Sequence, residues 1–332
     1  MRLQDVAKIA GVSASTVSRV VNGLPVNTTT RKHVLNVLKS THYHPNLQAR
    51  ALVAGQTKTI GVIVSDLRNP FFIDIFQAIE LDAKASGYEV LLANTNYDVK
   101  QLATAIRVMI GRRVSGLALV VSEELPTDIS DIVKVDIPVA VYDVARSAQG
   151  ITGVRFDYRN GMVQIMEYLR VLGHRRLAYV GLSSTLGPTD ERLEVFAHQA
   201  NSHSLKTTVL KASSLVDFEH VRAVIQGLLN ANSEVTAIVC VNDVAAIAVM
   251  RVLYSAGIRV PADISVTGFD NIGFSQLTTP SLTTIHVPRT KIGHRLFAAL
   301  VQDRSKQGEP AEFVFASELV VRESTGPAKV DR

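Results

Sequence analysis

GVSASTVSRVVNG, residues 11–23, splits into two faces when it is wound at helical spacing. Val17, Val20, Val21 and Leu24 fall at i, i+3, i+4 and i+7, an apolar stripe that belongs against a core. Ser15, Ser18, Arg19 and Asn22 fall at the same spacing on another face, which is short, polar and ends in one cation and one amide. Just upstream, Gly11-Val12-Ser13 reads as a tight turn, with Ser13 placed to cap the helix that starts at Ala14. Before the turn, DVAKIA (5–10) reads as a short helix with Val6 and Ala10 inward. After it, Asn27 caps a third helix over about 28–40, with Val34, Leu35 and Leu38 as its apolar stripe. Two short helices joined by a three-residue glycine-containing turn form a helix-turn-helix, whose second helix enters a DNA major groove. The polar face then has a use. Arg19 can donate two hydrogen bonds to a guanine edge, and Ser15, Ser18 and Asn22 can reach bases or phosphates. Ala14 and Ser15 open the helix where it lies deepest. Ser13, Thr16 and Asn27 complete the candidate DNA-contacting set in this segment.

Charge agrees with that expectation. Residues 1–60 hold eight Lys or Arg against one acid, Asp5, whereas the remainder holds 27 basic and 29 acidic residues. A basic head on a nearly neutral body is the footprint of nucleic-acid binding. At 332 residues the chain is too long for one ordinary core, and 47% hydrophobic with 20% charged residues is the composition of a packed globule, not a tail. The single cysteine, Cys240, lies in the apolar run AIVCV and reads as a buried small hydrophobe; no disulfide can form within one chain, which suits a reducing cytoplasm. The first residues lack the apolar region of a secretory signal, and runs such as GLALVV are too short to span a membrane.

HYHPNLQARALVAG, residues 42–55, stops a helix at Pro45 and offers Asn46 as the cap of another running to about residue 54. Eight or nine residues are too few for a stable isolated helix, because nucleation is costly. Its apolar side chains, Ala49, Leu52 and Val53, have no obvious core to join. Two copies in a homodimer, laid together in a minor groove with Leu52 wedged between base steps, would bury them. The expected organisation is therefore a helix-turn-helix domain over 1–45, a hinge helix and linker over 46–58, and a body over 59–332.

In the body, β-branched runs alternate with helical patterns: TIGVIV (59–64), EVLLAN (89–94), GLALVV (116–121), PVAVY (138–142), GVRFD (153–157), then RLAYVG (176–181), TVLK (208–211), AIVCV (237–241) and ISVTGF (264–269). Strands separated by crossover helices give parallel sheets in doubly wound α/β units. Two sets of about five strands make two such subdomains facing across a cleft. Ligands of open α/β sheets bind beyond the carboxyl ends of the strands. That rule selects loops carrying aromatic faces (Phe71, Phe72), carboxylates (Asp157, Asp270), amides and one arginine, Arg192, a chemistry suited to a polyol or a nucleobase. No nucleotide-binding glycine motif, zinc-binding HExxH or nucleophile elbow occurs, and His198/His203 and His286/His294 lack acidic or cysteine partners at metal-ligand spacing. No enzyme activity, cofactor or metal is expected. The competing expectation is a solute-binding protein of the transport type, which would leave the basic head without a purpose.

DVAKIAGVSASTVSRVVNG, TRKHVLNVL, YHPNLQARALVAGQTKTIGVIV, DLRNPFF, RRVSGLALV, LGHRRLAYVG, PADISVTGFDN, TPSLTTIHVP and ELVVREST follow one another in an order that resembles the lactose-repressor/galactose-repressor (LacI/GalR) family of bacterial transcription regulators. The resemblance spans nearly the whole chain. It implies a bilobal, periplasmic-binding-protein-like body controlled by a sugar-like or purine-like effector, with chain crossings near 157–160, 286–289 and 314–318. Those crossings give an N-subdomain of about 59–157 and 287–315 and a C-subdomain of about 158–286 and 316–326. It implies base readout by Ala14, Ser15 and Arg19, minor-groove insertion by Leu52, and effector contacts from Phe71, Phe72, Arg192, Asn242 and Asp270. The implied protein is a homodimeric repressor acting on a pseudo-palindromic operator, since no heptad tail follows ELVVREST.

Overall fold

The computed structural model describes residues 1–21, 23–43, 57–123, 125, 137–143, 151–182, 187–231, 234–302 and 312–329. The chain forms two compact units, Met1–Lys58 and Thr59–Arg332.

The first unit contains α1 (Leu3–Ile9), α2 (Ala14–Val21) and α3 (Thr28–Ser40). At the turn between α1 and α2, Gly11 takes a φ of 62°, a conformation that glycine adopts without a steric penalty. Ser13 Oγ then accepts from the Thr16 N–H at 3.1 Å, and Asn27 accepts from the Thr29 N–H at 2.9 Å, so both expected caps form. Helix α2 stops in a glycine-terminated motif. Gly23 sits at φ 73°, its N–H donates to the Val20 carbonyl, and the Leu24 N–H donates to the Arg19 carbonyl. This turn removes Leu24 from the helix, and Leu24 is 49% exposed instead of continuing the apolar stripe. Val6, Ala7, Ala10, Val17, Val20, Val34 and Val37 form the small core. In α3 the stripe lies elsewhere than the sequence suggested. Val34 and Val37 face inward with Leu38 partly buried, while Leu35, about 100° round the helix from Val34, is 49% exposed.

The body runs β1 (Thr59–Val64), α4 (Pro70–Ala85), β2 (Glu89–Asn94), α5 (Val99–Gly111), β3 (Gly116–Val120), β4 (Val139–Tyr142), β5 (Ile151–Phe156), α6 (Tyr158–Val171), β6 (Arg176–Leu182), α7 (Gly187–Ser202), β7 (Lys206–Ala212), α8 (Phe218–Asn230), β8 (Ala237–Cys240), α9 (Asp243–Ser255), β9 (Ser265–Thr267), a 3-10 turn (Gly273–Gln276), β10 (Thr284–His286), α10 (Arg289–Val301), β11 (Glu312–Phe315) and β12 (Glu318–Val320). One sheet has the order β11-β5-β4-β3-β1-β2 with parallel pairings, and a second has β7-β6-β8-β9, also parallel. Strands β3, β4 and β8 are buried along their whole length, because helices cover both faces, whereas the edge strand β2 is mostly half-buried and the edge strand β7 mostly open. Beyond the sequence expectation, β10 and β12 form a small antiparallel ribbon, and β11 joins the first sheet from the far end of the chain.

The chain passes between the two lobes at three places. Asp157 links β5 to α6, Val287 and Pro288 link β10 to α10, and Ala316 and Ser317 link β11 to β12. The first and third crossings are tied together: the Asp157 N–H donates to the Phe315 carbonyl, and Asn160 and Gln164 of α6 donate to Ser317. Among the described residues no helix is long and apolar enough to cross a membrane.

Close packing of α10 on α4 depends on Gly293. A Cβ there would lie 2.6 Å from both Ala78 Cβ and the Ile75 carbonyl oxygen. Alanine gains about 1 kcal/mol of intrinsic helix propensity over glycine, but overpacking against backbone costs about 1–3 kcal/mol. Gly293→Ala should therefore lower the urea midpoint. Gly227, in α8 with nothing within 4 Å of its would-be Cβ, is the control, and Gly227→Ala should raise it.

Candidate functional site

In the head, the start of α2 carries a cluster of hydroxyls. Ser13 Oγ lies 2.7 Å from Ser15 Oγ and 2.9 Å from Thr16 Oγ1, at the helix end where backbone N–H groups and the dipole attract anions. Ser13 and Ser15 are exposed, Ala14, Thr16 and Ser18 half-buried. Arg19 is exposed and makes no hydrogen bond or ion pair among the described residues, so its guanidinium is open to an outside partner. The geometry thus brings Ser13, Ala14, Ser15, Thr16, Ser18 and Arg19 onto α2 and its cap. Asn27 is engaged at the start of α3. Asn22, Ala49 and Leu52 lie outside the described residues.

In the body, a chain of aromatic rings crosses from one lobe to the other. Phe72 meets Tyr97 at 6.2 Å between centroids, Phe71 meets Phe72 at 5.2 Å and Tyr142 at 5.8 Å. The hydroxyls of Tyr142 and Tyr158 are 2.7 Å apart, and Tyr158 stacks on Phe269 at 5.6 Å. Over this floor lies the Arg192 guanidinium, 4.7 Å from the Tyr158 ring and 5.1 Å from that of Phe269. It is 6% exposed, and its Nε has no hydrogen-bond partner. Burial opposes its charge, but Tyr158, Asp270 and Asp143 more than offset that, so its pKa is raised.

Two carboxylates face this arginine. Asp270 follows β9, is 4% exposed and has a φ of 116°. Burial drives its pKa up, and Arg192 and Arg289 pull it back only in part. Asp143 follows β4 at φ 67°, with a buried Oδ2 that has no partner. Burial pushes its pKa to about 7, against the opposing effects of Arg192 and the Tyr158 hydroxyl. A partnerless carboxylate oxygen and a partnerless guanidinium N–H therefore sit in one buried site, where each unmade hydrogen bond is expensive.

Of the six residues expected in the cleft, Arg192 and Asp270 stand together, with Phe71 and Phe72 at the aromatic end. Asp157 and Asn242 have their side-chain oxygens engaged as helix caps, Asp157 accepting from the Asn160 N–H and Asn242 from the Ala245 N–H, each at 2.9 Å. The sequence reading passed over Asp143, Tyr142 and Tyr158. A signal for Asp143 existed: it immediately follows β4, so the carboxyl-end rule that selects Asp270 selects it too. Asp243, fully buried in the first turn of α9, has its pKa raised by burial and then by Asp270; it accepts from Thr284 Oγ1 at 2.5 Å and the Ile272 N–H at 2.8 Å, which makes it a clamp on the 270–272 turn. Among the described residues no three His, Cys, Asp or Glu side chains converge as a metal site.

The raised Asp143 pKa fixes the sign of a pH effect. An unfolded aspartate titrates near 3.9, so from about pH 4 to 7 the native protein holds a proton that the unfolded chain has released. Stability from this group is full at low pH and is lost as pH rises to about 7, with a slope approaching about 1.4 kcal/mol per pH unit. Asp270 and Asp243 are shifted the same way, so urea titrations should show stability falling over this range in the wild type and a shallower fall in Asp143→Asn. Equal slopes would mean that Asp143 titrates as a solvated carboxylate.

Residues 2–46 match the family described as bacterial regulatory proteins, lacI family, and residues 166–325 match a periplasmic binding protein-like domain. The HTH-type transcriptional repressor PurR of Photobacterium profundum is 31% identical over 331 residues, 97% of this chain and 98% of that protein. The crystal structure of the lac repressor dimer bound to operator and the anti-inducer ONPF superposes with a TM-score of 0.81 at 29% identity, over 98% of this chain and 99% of that one. A LacI family transcriptional regulator from Enterococcus faecium with bound ribose gives a TM-score of 0.72 at 28% identity, covering 82% of this chain and all of the other.

Proposed function

This chain belongs to the lacI family of bacterial regulatory proteins and is a helix-turn-helix DNA-binding transcription regulator; on that premise we propose that it is a cytoplasmic homodimeric repressor whose hold on a pseudo-palindromic operator is set by an uncharged, hydroxyl-rich effector, a sugar, in the cleft of its body. The observation that carries the effector class is the pair of buried atoms without partners, Asp143 Oδ2 and Arg192 Nε. A hydroxyl group donates to the first and accepts from the second, so two hydroxyls of a sugar satisfy both. An anionic ligand fits worse, because Arg192 already favours the ionised forms of two carboxyl groups, Asp143 and Asp270, and a phosphate would bring further negative charge into a buried site. Phe71 supplies a ring face, and the ribose held by the E. faecium relative points the same way. Asp157 and Asn242 reach the ligand only through the groups that their capping leaves open.

On the DNA side, α2 enters the major groove with Ala14, Ser15 and Arg19 toward base edges. The hydroxyls of Ser13, Thr16 and Ser18 meet phosphates, and Asn22 and Asn27 flank them. The 46–58 segment, with Ala49 and Leu52, is the part assigned to the minor groove, where two copies of the chain meet. Effector binding changes the angle between lobes and so the separation of the two hinges.

Selection from random duplexes tests the DNA half and should yield a two-fold symmetric site. A thermal-shift screen tests the effector half: neutral aldoses, D-ribose among them, should raise the melting temperature more than their phosphates do. Stabilisation by phosphates alone would reverse the charge argument.

A further inference from the structure

Asp270 and Asn271 both hold positive φ, 116° and 54°, in a stretch where neither is glycine. Such backbone costs on the order of 1–3 kcal/mol per residue and persists only when its surroundings over-determine it. Several side chains hold this turn, among them Asp243 at the Ile272 N–H, Thr284 at the Asn271 N–H and Arg322 at the Asn271 amide oxygen, and Arg289 also reaches α4. Arg289, the first residue of α10, is buried to 10% side-chain exposure. Its Nη1 donates to the Asp270 carbonyl and its Nη2 to the Asn271 carbonyl at 2.8 Å, so both residues of the turn are gripped by one guanidinium. Its Nε donates to Asp74 Oδ2 on α4 at 2.8 Å. Asp74 is on the other lobe, one turn of helix from Phe71 and Phe72. The planar guanidinium presents its donors to both sides in fixed directions, which the single nitrogen of a lysine does not.

We propose that Arg289 is a positioning residue that carries load from α4 of one lobe to the Asp270–Asn271 turn of the other, holding the Asp270 carboxylate in place and making its position depend on how the lobes sit. The effector role of Asp270 rests on the function proposed above; the mechanical link does not. Its hydrogen bond to Asp270 is to the main-chain carbonyl, so it aims the carboxylate, and its charge also favours the ionised form. Its partner on α4 is the distinguishing feature. A residue that merely stabilised its own crossing would not need Asp74 to keep the 270–272 turn in place.

The test uses the full-length protein without ligand and reads amide hydrogen exchange at Asp270, whose N–H donates to the Ile285 carbonyl, and at Ile272, whose N–H donates to Asp243. Asp74→Asn, a change on the opposite lobe, should speed exchange at these two amides by roughly tenfold, the size expected when a charge-assisted hydrogen bond is lost. Val239 in β8 should be unaffected. Arg289→Lys should speed them at least as much, and adding Asp74→Asn to it should change little further, because the link is already cut. Unchanged exchange in Asp74→Asn, or fully additive effects, would overturn the proposal. A parallel D-ribose titration keeps the two ideas apart: no binding by the wild type counts against the sugar and leaves the exchange result to decide the link.

Discussion

Arg192→Ala should lower the stability of the body by about 3–5 kcal/mol at pH 8 and abolish any response to effector. The magnitude follows from what the substitution leaves behind: two carboxylates, the buried Asp270 and the half-buried Asp143 with its buried Oδ2, that have lost the cation favouring their charge. The stack on Tyr158 and Phe269 goes too, and with it the side chain that closes the floor of the cleft. The abandoned carboxylates will take up protons, so the loss should shrink at pH 5. Arg192→Met separates the contributions, since it keeps much of the volume and removes only the charge. Urea denaturation at the two pH values reads the effect. A loss independent of pH would mean that packing, not charge, is what Arg192 supplies.

In the head, Arg19→Ala should erase most of the preference for operator over random duplex. A bidentate base contact discriminates by about 1–3 kcal/mol, roughly five- to 150-fold for each copy of the head. Binding to random DNA should fall much less, and the slope of log affinity against log salt should change by at most about one. Arg19 is exposed and partnerless among the described residues, so its removal should leave the fold intact, and any loss is then a loss of contact with DNA. Equal losses on operator and random duplex would reduce Arg19 to a phosphate contact and move base readout to Ala14, Ser15 and Asn22.

How far the sequence reached depends on the range of the forces involved. The caps at Ser13 and Asn27 and the helices they open were legible because a cap is satisfied within three residues. Leu24 was misplaced because periodicity alone does not say where a helix ends; the Gly23 turn does. Leu35 was misplaced because α3 has several aliphatics, and contact with α1 and α2 chooses Val34 and Val37. Strands β11 and β12 had no local signal: β11 pairs with β5, some 160 residues earlier, and the three-residue β12 pairs with β10. In the cleft, Arg192 and Asp270 were visible as chemistry at loop positions. Asp157 and Asn242 were visible for the same reason, though capping already engages them. The pairing of Tyr142 with Tyr158 and the grip of Arg289 on Asp74 and the 270–271 turn join residues that only the folded lobes bring together.

The central claim is that one ligand in the body and one duplex on the head compete or cooperate through a single conformational equilibrium. It is tested most directly by closing a four-state cycle on the same protein at the same salt. Operator affinity is measured with and without a saturating sugar from the screen, and sugar affinity with and without saturating operator. The account predicts that both ratios are the same number, within the roughly five- to 150-fold range usual for allosteric coupling. Ratios of one on both sides, with sugar and operator each still binding tightly, would contradict it.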